Sequence, residues 1–105
     1  MGKIREVADR LWAYLRARYG SQALYLILYG SYVRGGATSE SDVDVLAVVD
    51  DGLDPWEVRR SLDSVLLDVL LEKGLLVSVL VVPKSFYESY NSPFMMQVRR
   101  EGIRL

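Results

Sequence analysis

Gly30-Ser31-Tyr32-Val33-Arg34-Gly35-Gly36-Ala37-Thr38-Ser39-Glu40-Ser41-Asp42-Val43-Asp44 is the stretch on which the reading of this chain turns. Two short, continuous apolar runs bound it, Ala23 to Tyr29 before it and Val43 to Val49 at its end. Runs of that length flanked by Gly and Ser predict strands buried on both faces of a sheet. The Gly-, Ser- and Thr-rich segment between them is too long for a tight hairpin and too polar for core. Asp42 and Asp44 stand two apart on the expected second strand, so both carboxylates project from one sheet face, roughly 6 to 7 Å apart along the backbone. That face continues as Leu46 and Val48. Two like charges at the edge of an apolar face repel each other and lose hydration unless a cation neutralises them. Paired carboxylates suit magnesium in particular, because it keeps several waters and shares its coordination between one or two carboxylates and substrate phosphates.

Gly30-Ser31 closes the first strand, where Gly lets the backbone approach a ligand and a short helix starting there would aim free amides at an anion. If the two strands are antiparallel neighbours, Ser31 lies beside Asp42 and Asp44, and a phosphate cradle and a metal site share one pocket. Arg34, one helical turn after Ser31, either contacts a phosphate or braces the acidic loop by pairing with Glu40 or Asp42.

Outward from this stretch, Ile4, Val7, Ala8, Leu11 and Leu15 recur at helical spacing and predict an amphipathic helix over residues 3 to 19, ended by Gly20. A second helix starts with Asp54 as N-cap, Pro55 at its first position, Glu57 three residues after the cap, and Leu53 and Val58 as a hydrophobic staple. It is expected to run through Leu62, Val65, Leu66, Val69 and Leu70 to Gly74. Leu75 to Val82 predicts a third strand ended by Pro83. Lys84 to Tyr90 and Pro93 to Glu101 read as short helices before an extended tail, Ile103-Arg104-Leu105. In the C-terminal part, Phe86 and Phe94 are expected in the core, with Tyr87, Tyr90 and Met95 available to a partner.

The chain has 105 residues, enough for one domain over residues 1–105 with a single core. Half of the residues are hydrophobic and 26% are charged, the balance of a globular chain and not of a disordered one. No apolar run approaches the ~20 residues of a membrane span. The first ten residues offer no hydrophobic leader, so the expected place is the cytoplasm. With no Cys and no His, disulfides, thiolate chemistry, imidazole catalysis and the usual zinc ligand sets are excluded. Any metal must sit on oxygen, which leaves magnesium, manganese or calcium. The net charge of −1 gives no strong nucleic-acid signal. Residues 40 to 72 nevertheless carry ten acids against Arg59 and Arg60, which suits a cation or a basic partner. Of these acids, Asp63, Asp68 and Glu72 read as the solvated face of the second helix.

Taken together, Gly-Ser, ten intervening residues and Asp-x-Asp resemble the signature of the polymerase beta-type nucleotidyltransferase superfamily. The likeness is greatest to its minimal members, small stand-alone prokaryotic proteins that in many cases act as antitoxins beside a HEPN-domain partner. The resemblance implies an α/β (α+β) nucleotidyltransferase-like fold, a small mixed sheet of about three strands flanked by helices. It also implies transfer of a nucleoside monophosphate from an NTP, expected to be ATP, to a hydroxyl, with Mg2+ or Mn2+ as cofactor. The partner would be a small helical HEPN-type protein or a second copy of the chain. Carried onto this sequence, Gly30 and Ser31, with Arg34, would hold the phosphates, and Asp42 and Asp44 the metal as the catalytic pair. Fully active members of the superfamily add a third carboxylate on a later strand. A right-handed crossover makes the third strand parallel to the second and puts that place in the first half of Leu75 to Val82, where the polar residue is Ser78. A neutral hydroxyl is a poor magnesium ligand and no general base near neutral pH. An active enzyme would then need an acid from Asp50, Asp51, the substrate or a partner chain. The alternative is a catalytically silent nucleotide- or metal-binding module. A DNA-repair polymerase fragment is excluded by the lack of a helix-hairpin-helix or a basic groove.

Overall fold

A computed structural model describes residues 2–38 and 42–105. In chain order the elements are α1 (Gly2–Tyr19), a single 3-10 turn, β1 (Ala23–Tyr29), α2 (Ser31–Arg34), β2 (Val43–Val49), α3 (Pro55–Ser61), α4 (Asp63–Lys73), β3 (Val77–Pro83), α5 (Lys84–Ser89), α6 (Pro93–Glu101) and β4 (Ile103–Arg104). The strands form one mixed sheet in the order β3-β2-β1-β4. β1 runs antiparallel to β2 and to β4, and β2 runs parallel to β3. The α/β class, both strands around the loop and the parallel crossover are as expected from the sequence; the sheet has four strands rather than three. The extra strand forms because Ile103 and Arg104 pair with the free edge of β1, and Leu105 N donates to Leu26 O at 2.8 Å.

The period-two alternation of the strands sorts side chains between two cores. On one face Leu26, Leu28, Val43, Val45, Ala47, Val49, Val77, Val79 and Val81 pack under α1, α3 and α4 with Val7, Leu11, Leu15, Val58 and Leu62. On the other, Ile27, Leu46, Val48 and Val82 pack against Met95 and Val98 of α6. β2 lies in the middle and is buried on both faces except at Asp44, which explains its unbroken apolar run. The second face is only partly roofed. Leu80 remains 43% exposed, and Ser78 beside it is exposed too.

Three local expectations are corrected. The helix from Pro55 breaks at Leu62, because Ser61 Oγ donates to Val58 O at 2.7 Å and so takes the acceptor that the Leu62 amide would use. That amide turns to Arg59 O instead, at 3.2 Å, and a tight turn separates α3 from α4. Asp54 does cap α3, accepting from Trp56 N at 3.0 Å. In α6 the Ser92 cap, which accepts from Met95 N at 3.1 Å, sets a register that turns Met95 inward at 1% exposure and leaves Phe94 42% exposed. Phe86 is likewise half exposed and stacks on Tyr90 with ring centroids 4.5 Å apart, while Tyr87 packs against the second core. The third strand begins two residues later than expected and includes Pro83. Its outer edge is partly occupied, since Arg59 Nε donates to Val79 O at 3.0 Å. Asp63, Asp68 and Glu72 are exposed as expected; Asp63 pairs with Arg59 and Glu72 with Arg10.

Candidate active site

The acidic loop and the Gly-Ser turn meet because β1 and β2 are antiparallel, which sets Tyr29 opposite Asp44. Gly30 follows with φ +79° and ψ −147°, a conformation that residues with a Cβ rarely adopt. A Cβ at this position would overlap Asp44 Oδ2 and lie 3.2 Å from Asp44 Cγ. Gly30 is therefore needed twice, for its backbone angle and for the room it leaves the carboxylate. Ser31 opens the four-residue α2, and Gly30 as its N-cap has no side chain to occupy the first amides. Gly30 O accepts from Val33 N and Arg34 N at 3.0 and 3.1 Å, which fixes the turn.

Asp42 lies one residue ahead of β2 rather than on it, and it is exposed. Val43 N donates to Leu76 O at 2.9 Å, so the β2–β3 ladder begins immediately after it. Asp44 is half-buried on the same sheet face as Leu46 and Val48. Burial first, and the charge of Asp42 second, push the Asp44 carboxyl above the ordinary carboxylate value. The Tyr29 phenol is pushed up as well, by burial and then by the charge of Asp44. This corner of the sheet thus carries more negative charge than its surroundings neutralise. Among the described residues no group of three or more Asp or Glu side chains converges into a closed metal cage. Two carboxylates with open positions fit a hard cation that completes its shell with water and phosphate oxygens.

For Arg34 the structure shows a partner that neither reading of the loop included. Its Nε lies 3.6 Å from Glu101 Oε2 at the end of α6, and Glu40 lies outside the described residues. The pair closes one side of a small pocket of ≈ 20 Å³ lined by Tyr29, Gly30, Val33, Phe94, Gln97 and Val98. Glu101 was not legible as a neighbour, because it lies 67 positions after Arg34 and nothing local brings them together. Asp50 and Asp51, the acids within the chain that could have served as a third carboxylate, follow the opposite end of β2. At ~3.3 Å per residue, Asp50 stands about 20 Å from Asp44. Both acids have other work, accepting from Gly52 N at 2.9 Å and from Ser85 N at 3.0 Å. Ser78 stands directly opposite Asp44 on β3, on the same face, so Tyr29, Asp44 and Ser78 form one row across three strands.

A putative protein adenylyltransferase of Methanocaldococcus jannaschii is 32% identical over 89 residues, 84% of this chain and 83% of that protein. A crystal structure of a toxin–antitoxin with AMP-PNP superposes with a TM-score of 0.57 at 24% identity, covering 91% of this chain and 69% of the other. A variant of the MntA–HpeT toxin–antitoxin superposes with a TM-score of 0.53 at 25% identity, over 92% and 70%. Both likenesses speak for the fold. The nucleotidyltransferase domain profile matches residues 8–101, from α1 to the end of α6 and across the whole Gly-Ser and Asp-x-Asp region, so the chain belongs to the nucleotidyltransferase domain family.

Proposed function

We propose that the chain binds a magnesium–NTP complex, expected to be ATP, and transfers its nucleoside monophosphate to a hydroxyl. The observation that supports this reading is the seating of Gly30 against Asp44, which brings the Gly-Ser turn against a carboxylate fourteen positions further along the chain. Asp42 and Asp44 would hold the cation, and magnesium, once bound, would neutralise phosphate charge and favour departure of pyrophosphate. Gly30 and Ser31 would hold the terminal phosphates through backbone amides and the hydroxyl. Arg34 would turn to the same phosphates by leaving Glu101, a half-exposed partner that costs little to give up. The protein's share of catalysis is then positioning and charge neutralisation.

Among the described residues no third acid stands beside Asp44, so an external acceptor would take its activation from its own environment. A partner protein that brings both the hydroxyl and a base suits this gap. The toxin–antitoxin setting of the structural relatives and the adenylyltransferase name of the archaeal one support such an acceptor, a HEPN-type helical protein being the expected kind. Calorimetric titration of ATP with magnesium into wild type and Asp42→Ala/Asp44→Ala tests the site: saturable binding is expected in the first and none in the second. Equal heats in both would sink the site as described. Co-expression with the protein encoded next to it, followed by intact-mass analysis, tests the transfer. An adduct on that protein that disappears in the double variant is expected. A silent binding module, the reading favoured by Ser78 in place of an acid, would give tight association without an adduct.

A further inference from the structure

The row Tyr29–Asp44–Ser78 places a hydroxyl of the chain itself on each side of the carboxylate expected to hold the metal. The two hydroxyls differ. Tyr29 is half-buried, its ring meets Phe94 edge-on at 5.4 Å, and it lies on the β1 side, next to the Gly30–Ser31 turn. Ser78 is exposed on the edge strand and, among the described residues, makes no side-chain hydrogen bond. With the terminal phosphates at the Gly30–Ser31 turn that follows β1 and the metal on Asp44 of β2, continuing the same row across the sheet would take the α-phosphate towards β3. Ser78 is the residue of β3 in register there.

From this arrangement we infer that Ser78 is a self-acceptor, carrying one nucleoside monophosphate after reaction with magnesium–ATP. The inference rests on the reading of Asp42 and Asp44 given above. In the step, Ser78 Oγ attacks the α-phosphorus and a new O–P bond forms. The bond from that phosphorus to the oxygen bridging to the β-phosphate breaks, pyrophosphate leaves with the electron pair, and the hydroxyl proton passes to water. The product is a phosphodiester on Ser78. With no general base beside it among the described residues, the step is slow and rests on the proximity of Ser78 to the bound nucleotide. The reaction occurs once per chain and leaves the nucleotide on the acceptor side of the site. The modified chain therefore no longer takes up ATP, and the modification limits transfer to any external hydroxyl.

The test is incubation of the purified chain with magnesium–ATP, read by intact mass, peptide mapping and pyrophosphate release, with calorimetry on the same samples. Wild type is expected to gain one nucleotidyl group on Ser78 and release one equivalent of pyrophosphate. Ser78→Ala should lose the adduct and keep ATP binding. Ser78→Thr, which keeps a hydroxyl and suits a strand, should retain the adduct. With α,β-methylene-ATP, whose α–β bridge cannot be cleaved, wild type should bind without gaining mass. If ATP binds in a manner that depends on Asp42 and Asp44 but the mass is unchanged, or the adduct maps elsewhere, the inference about Ser78 is overturned and the site reading stands. If wild type binds no ATP, both fall together.

Discussion

Replacing Gly30 by Ala probes the contact on which the site depends. Two costs add. With φ +79° and ψ −147°, a residue carrying a Cβ is strained by about 1 to 3 kcal/mol. The new methyl also overlaps the Asp44 carboxylate, and overpacking of this kind costs about 1 to 3 kcal/mol more. Gly35→Ala is the matched control: its φ is +80° with ψ 8°, and nothing lies within 4 Å of a Cβ there, so it should cost only the left-handed strain of about 1 to 2 kcal/mol. Gly30→Ala should therefore exceed Gly35→Ala by at least about 1 kcal/mol, a difference of ~4 °C or more in Tm for a domain of this size. Thermal melts and urea titrations of both variants measure it. Displacement of Asp44 should also weaken magnesium–ATP binding by about tenfold or more, since each ~1.4 kcal/mol is tenfold in Kd. Adding Asp44→Ala to Gly30→Ala removes the overlapped atoms, so the double variant should recover about 1 kcal/mol relative to additivity. Equal stability of the two glycine variants with no coupling between Gly30 and Asp44 would refute the reasoning.

Asp44 binds its proton more tightly in the folded chain than in the unfolded one. Its contribution to stability is therefore full below the unfolded value of about 4 and is lost as pH rises through the raised folded value. Asp44→Asn should accordingly melt above the metal-free wild type near pH 7, with the difference closing as pH falls towards about 4, and magnesium should raise the Tm of wild type but not of the variant. Gly102→Ala puts a Cβ 2.5 Å from both Ile27 Cγ2 and Val98 O and should cost about 1 to 3 kcal/mol in urea melts; unchanged stability would mean that the turn into β4 is looser than described. Asp54→Ala removes the cap of α3 and should cost about 0.5 to 2 kcal/mol, read from the same melts.

The parts of this structure that could be read from the sequence are those decided by neighbours along the chain. The apolar runs at Ala23–Tyr29 and Val43–Val49 identify two strands, and the spacing of Gly30, Ser31, Asp42 and Asp44 brings them to one corner once the strands are antiparallel. Ser78 could be placed opposite Asp44 because crossover handedness fixes the direction of β3. What escaped depends on competition or on distant partners. The Ser61 hydroxyl capturing Val58 O breaks a helix whose apolar periodicity continues through the break. β4 is two residues long and exists only because β1 has a free edge. Phe94 and Met95 are adjacent apolar residues, and only the cap at Ser92 decides which of them enters the core. The Arg34–Glu101 pair joins α2 to α6 through the tertiary fold alone.

The Arg59 guanidinium on Val79 O bears on how the chain behaves at high concentration. β3 is an edge strand of sequence Val-Ser-Val-Leu-Val-Val-Pro, and an apolar strand with unpaired backbone groups is a template for adding another strand. By occupying one outward carbonyl, Arg59 interrupts the ladder that a second chain would need and sets a charge in its path. Pro83 at the end of the strand offers no amide to extend such a ladder. Arg59 thus stands as a guard on the edge strand against edge-to-edge pairing.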